Sequence, residues 1–190
     1  MMSFSDLVLA VLMVPGQADD VSAKDRLKGL EPLIGSWVYD GVLQEDAPGL
    51  GKKGDSFKLT ASHRWVLGKS AFQLDWKTDV GGKEANRGRA LVAWDPASKT
   101  IMEWAVSTSG NHSGQWTHKD NVWTYALCGI GSAGTMKENI VYSDIGSDSF
   151  MFQVTNRVVG GKELDDSAKY EFKRVADEHP LRRKKAGVEK

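Results

Sequence analysis

From Ile34 to Arg174 the chain is a succession of short runs in which apolar and polar residues alternate, with turn residues between them. Phe72, Leu74 and Trp76 fall on one side of such a run; Gln73, Asp75 and Lys77 fall on the other. Met102, Trp104 and Val106 alternate with Ile101, Glu103 and Ala105, and Phe150, Phe152 and Val154 with Met151 and Gln153. A period of two is that of a β-strand with unlike faces. Ten strands are predicted, over roughly 34–43, 56–67, 70–80, 86–95, 99–107, 112–119, 121–128, 135–144, 149–159 and 167–174. A short helix is predicted within 20–33. Ser22 can cap it, with Asp25 three residues on, and Leu27, Leu30 and Leu33 share one side. Gly29 and Pro32 keep it short.

The turns have chemical signatures. Leu67-Gly68-Lys69-Ser70 suits a tight hairpin, and Gly81-Gly82, Lys119-Asp120-Asn121 and Gly160-Gly161 tolerate positive φ. Asp95-Pro96 sets up a type I turn. Only 44–54, rich in Gly and Lys, reads as a longer loop, placed over a barrel end. Ten sequential hairpin-linked strands in an open sheet would leave two exposed edges, and closure removes them. The expected fold is therefore all-β: one antiparallel barrel of about ten strands with a short N-terminal helix plugging an end.

Composition changes this picture little. The chain has 190 residues, 41% hydrophobic and 26% charged, which suits a single domain with its own core. Formal net charge is zero, so no general attraction draws it to nucleic acid. The single cysteine, Cys128, excludes an internal disulfide and a cysteine-based zinc cage, and its strand position reads as a small packed side chain. Leu7 to Val14 is a compact apolar run, and Pro15-Gly16-Gln17-Ala18 follows it. That resembles a secretory signal over 1–18, cleaved after Ala18, and predicts a secreted or periplasmic protein. No Lys or Arg precedes the run, so an apolar helix of the folded chain is the alternative. Eight apolar residues are too few to span a bilayer, so no stable membrane insertion is expected. The domain is expected over 20–175, and the basic segment 176–190 reads as a solvated tail.

Leu33-Ile34-Gly35-Ser36-Trp37, after the short helix, resembles the Gly-x-Trp opening of the calycin superfamily, which includes lipocalins and fatty-acid-binding proteins. His63-Arg64-Trp65-Val66-Leu67-Gly68-Lys69-Ser70 resembles a hairpin of lipocalin-like bacterial domains of unknown function. Ala93-Trp94-Asp95-Pro96, Ile101-Met102-Glu103-Trp104 and Gly114-Gln115-Trp116 continue that likeness. It covers about residues 30–175. The resemblance implies a calycin-like barrel of about ten strands and no catalytic residue. It also implies that the tryptophan packs across the closed end against a basic residue of the last strand. Gly35 and Trp37 match the motif, and Arg174, ahead of Lys173, is the implied partner.

No catalytic or metal signature stands out. Gly129-Ile130-Gly131-Ser132-Ala133-Gly134 spells a dinucleotide fingerprint, but another strand pattern follows it where a helix is needed, so a hairpin turn is expected. His63, His112, His118 and His179 lack metal-ligand spacing, and six residues of strand put His112 about 20 Å from His118. No haem ligand, metal or other cofactor is predicted. Asp75, Asp79, Glu103 and Glu138 are candidate acids. Glu103 is the most informative: if the Ile101/Ala105 face points inward, it is a carboxyl in a cavity with a raised pKa.

The expected function is non-enzymatic binding of a small, partly apolar molecule. Phe72, Leu74, Trp76, Arg89, Glu103, Trp104 and Trp123 are the candidate lining residues. The alternatives are an accessory module with a filled barrel, or an enzyme using inward polar residues such as Glu103 and Arg89.

Overall fold

The computed structural model describes residues 21–176. The expected leader over 1–18 and all but the first residue of the 176–190 tail lie outside the described residues. Among the described residues there are eleven strands: β1 (Gly35–Val42), β2 (Ser56–Val66), β3 (Ala71–Val80), β4 (Lys83–Asp95), β5 (Thr100–Ser107), β6 (Gly110–Lys119), β7 (Val122–Gly131), β8 (Gly134–Ser143), β9 (Ser149–Val159), β10 (Lys162–Leu164) and β11 (Tyr170–Val175). Each strand from β1 to β9 pairs antiparallel with the next; β9 then pairs with β11, and β11 with β1. The result is a closed ten-stranded antiparallel barrel. The extra strand, β10, pairs with Arg157–Val159, the part of β9 that the shorter β11 leaves uncovered.

Tight turns set the register. Gly81-Gly82, Asp120-Asn121 and Gly160-Gly161 each place two successive residues at positive φ. That is the type I′ geometry whose twist matches the flanking strands. Ser132-Ala133 joins β7 to β8, so the glycine-rich segment 129–134 is a hairpin, as its flanking strand patterns require.

Alternation decides what faces inward. Val92 is wholly buried while its neighbours Leu91 and Ala93 are only partly so, and the inward residues of all ten barrel strands form one core. Cys128 departs from its expected packing: it lies on the outer face of β7 and is exposed, because Leu127 occupies the inward position beside it.

One end of the barrel is shut. A five-residue helix, α1 (Ala23–Leu27), is capped by the Ser22 hydroxyl, which accepts from the Asp25 N–H, and runs into a 3₁₀ segment, Lys28–Leu33. Leu27, Leu30 and Leu33 are buried in the core, each worth about 1.5–3 kcal/mol of apolar burial. The Arg26 guanidinium lies 4.1 Å from the Trp94 ring centre. Trp37, fully buried, pairs in register with Arg174, whose guanidinium lies 4.1 Å from its ring centre. Gly35, at φ 130°, has no side chain to collide with that guanidinium. Three successive carbonyls of the plug are held by side chains of the wall. Arg174 donates to Pro32 O and Ile34 O, while Trp37 Nε1 and His63 Nδ1 both donate to Leu33 O.

Candidate functional site

Above the plug the barrel is hollow. A cavity of about 220 Å³ lies between the strands. Small residues let its walls pack closely. Gly88 faces the Trp76 ring, Gly114 faces the β7 backbone, and Ala61 sits directly on the cavity wall. The walls are largely apolar and aromatic: Leu59, Leu74, Trp76, Ile140, Phe150, Phe152 and Phe172 contribute, with Met136 nearer the mouth. A second space of about 210 Å³ shares Asn86, Ser109, Met136 and Glu138 with the cavity and reaches Pro48, Gly49 and Leu50 of the long loop. This is the open end. Arg157 and Glu138 form an ion pair at its rim, 3.4 Å apart.

Glu103 is the central polar group. It is 2% exposed and lies on the inward face of β5 with Ile101 and Ala105. Trp116 Nε1, on β6, donates to its Oε2 at 2.8 Å. Oε1 has no protein partner among the described residues and borders the cavity. Burial pushes the Glu103 carboxyl up to about 8, with the Trp116 N–H acting in the opposite sense. At neutral pH it is therefore protonated. Trp116 is itself stacked between Tyr125 and Tyr142, at ring-centre distances of 5.4 and 5.3 Å. Burial raises both phenols, and the nearby Glu103 charge adds to this, so both remain protonated.

Two histidines add to the polar lining, with Asn86, Ser107 and Ser109. His63 must carry its proton on Nδ1, because Leu33 O can only accept, which leaves Nε2 as an acceptor. Burial depresses it to about 4, and the Arg174 charge pushes the same way against the favourable bond to Leu33. His112 Nδ1 shares a hydrogen bond with the Tyr125 hydroxyl at 2.9 Å, and burial holds it near 4 as well. Both rings are neutral at pH 7. Among the described residues, no three His, Cys, Asp or Glu side chains gather where they could hold one metal ion.

The residues named from the sequence divide by strand parity. Leu74, Trp76 and Glu103 line the cavity. Phe72 faces inward but sits lower, against His63 and Trp65. Trp123 is also below the cavity, packed over Gly29 of the plug and against Trp116. Arg89 and Trp104 are corrections: both point outward. Trp104 is 48% exposed on the outer wall. Arg89 Nε bonds Asp75 Oδ1 at 2.5 Å, and Arg64 and Gln73 close over the other oxygen. Asp75, wholly buried, thus belongs to an outer-wall cluster. Gly35, Trp37 and Arg174 meet at the closed end, as described above. Tyr125, Tyr142, His63 and His112 line the cavity as well; for the tyrosines the inward parity of β7 and β8 is the signal in the sequence.

No protein-family model and no curated protein matches the chain. The fold and the site define a closed ten-stranded barrel with an internal, mostly apolar cavity and one buried, half-satisfied carboxyl. Among the described residues no helix is long and apolar enough to cross a membrane.

Proposed function

We propose that this protein is an exported, calycin-like binding barrel that holds a small, partly apolar molecule and carries out no reaction on it. One observation carries the reading: an interior cavity of about 220 Å³ whose walls are mainly apolar rings but which presents Glu103 Oε1 to whatever enters. Ligand sites share this composition, a hydrophobic enclosure with a few placed polar groups. An engineered apolar cavity of roughly 150 Å³ suffices for benzene, so this space suits one ring with a substituent, or an alkyl chain of similar bulk. The hollow interior favours this reading over a barrel filled by its own side chains. The calycin assignment is supported by the closed antiparallel barrel, the N-terminal plug and the Trp37–Arg174 stack. Export is supported by the apolar run before Ala18.

Native mass spectrometry of protein purified from its own host tests the proposal. A retained small molecule is expected, lost on denaturation. Protein of the chain's own mass under gentle conditions, together with no change in melting temperature across a library of small aromatics, would refute it.

A further inference from the structure

We infer that the cavity takes a small organic cation, an amine or quaternary ammonium ion on an apolar body, with Glu103 as its counter-ion. The inference rests on the ligand-binding reading above and narrows it. Its first support is the charge of the lining. The cavity wall carries two carboxyl groups, Glu103 and Glu138, and no lysine or arginine. Glu138 is matched by Arg157 at the rim. Glu103 has only the Trp116 N–H, and no cationic side chain reaches it among the described residues. The other titratable groups that face the space are His63, His112, Tyr125 and Tyr142. Hydrogen bonding to backbone or to each other occupies His63, His112 and Tyr125, and none of the four is a cation at neutral pH. Arg174 is committed to the plug carbonyls and the Trp37 ring. An incoming cation therefore meets a carboxyl without a rival.

The second support is the aromatic surround. Trp76, Tyr125, Tyr142, Phe150 and Phe172 line the same cavity as the carboxyl. Ring faces attract cations, more strongly where water is excluded. The third is the direction of the Trp116 bond. An N–H donated to Oε2 stabilises the carboxylate over the acid, so the partner that the ionised form needs is half in place before a ligand arrives.

Binding exchanges one cation for another. The Glu103 O–H bond breaks, its proton leaves to solvent, and the carboxylate pairs with the ligand's ammonium. Net charge inside the cavity stays at zero throughout. Burial holds Glu103 in its neutral form at pH 7, so binding a cation releases most of a proton.

Isothermal titration calorimetry at pH 7, in buffers of differing ionisation enthalpy, measures that proton. Two soluble matched pairs serve as probes: choline with its carbon isostere 3,3-dimethylbutan-1-ol, and 2-phenylethylamine with 2-phenylethanol. Choline has no ammonium proton to lose, so a proton released on its binding comes from the protein. Each cation is expected to bind at least tenfold more tightly than its alcohol, with close to one proton released. Glu103→Gln, which keeps an acceptor for Trp116, should erase both the preference and the proton. Alcohols that bind as tightly as their cations, or cation binding with no proton released, overturn the inference and leave a barrel for neutral ligands. No binding by any of the four overturns this inference and leaves the ligand-binding reading to stand or fall on the mass-spectrometric test above.

Discussion

Glu103→Gln should change how stability depends on pH more than it changes stability at any one pH. In the folded protein the Glu103 carboxyl titrates near 8; in the unfolded chain it titrates near 4.5. Between those values the unfolded state releases a proton that the folded state keeps. Stability conferred by the neutral buried acid is thus complete below pH 4.5 and is lost as pH rises to about 8. The loss runs at about 1.4 kcal/mol per pH unit, roughly 5 kcal/mol across the window. His63 and His112 act with the opposite sign. Both are depressed from 6.5 to about 4, so their contribution is complete above 6.5 and falls away as the solution acidifies. Below pH 6.5 the two histidines outweigh the one carboxyl; above it the carboxyl acts alone. For these three groups stability peaks near pH 6.5. Glutamine cannot ionise, so the variant should keep the acid-side loss and show a plateau above pH 6.5 where the natural protein declines. Urea unfolding followed by far-UV circular dichroism, at half-unit steps from pH 5 to 9, reads this out. Parallel profiles for the two proteins would refute the buried, half-satisfied carboxyl.

Three further outcomes are expected. Trp37→Ala should cost about 3–5 kcal/mol in equilibrium unfolding, because it removes a fully buried ring that packs on Phe150 and carries Arg174; a loss below about 1 kcal/mol would contradict its closing role. Gly35→Ala should cost about 1–3 kcal/mol by urea titration, since an L side chain at φ 130° is strained and its Cβ meets the Arg174 guanidinium. Ala61→Phe should fill the cavity and abolish ligand binding by calorimetry while the melting temperature stays within a few degrees; undiminished binding would place the site elsewhere.

The number of barrel strands and most of their turns were legible because alternation and turn chemistry are local. Which face of a strand is inner is not local, and there the reading divided. Glu103 and Trp104 are neighbours, so one strand cannot send both into the cavity, and burial selects Glu103. Arg89 fails for the same reason: Ala90 and Gly88 hold the inward positions beside it, and Asp75 waits on the outer wall. Tyr125 and Tyr142 share the inward side of their strand patterns, but their meeting at Trp116 depends on the register of three strands. His63 looked like an ordinary strand residue because its partner, the Leu33 carbonyl, lies thirty positions earlier in the plug. β10 was missed because three residues carry no periodicity; it exists only because β9 outruns β11.

The grip on Pro32, Leu33 and Ile34 has a kinetic consequence. Four donor contacts from Trp37, His63 and Arg174 tie those carbonyls to β1, β2 and β11, the strands that close the circle. Lifting the plug therefore breaks all four contacts at once and uncovers Leu27, Leu30 and Leu33, which places it among the costlier local openings of the molecule. The Trp37 indole N–H, donated to the Leu33 carbonyl, should be among the last side-chain hydrogens to exchange with deuterium. Traffic into and out of the interior is left to the far end, where Pro48–Leu50 and the Glu138–Arg157 pair border the entrance. The residence time of anything held inside is then set by how often that loop yields, and substitutions in the plug should leave it unchanged for as long as the protein stays folded.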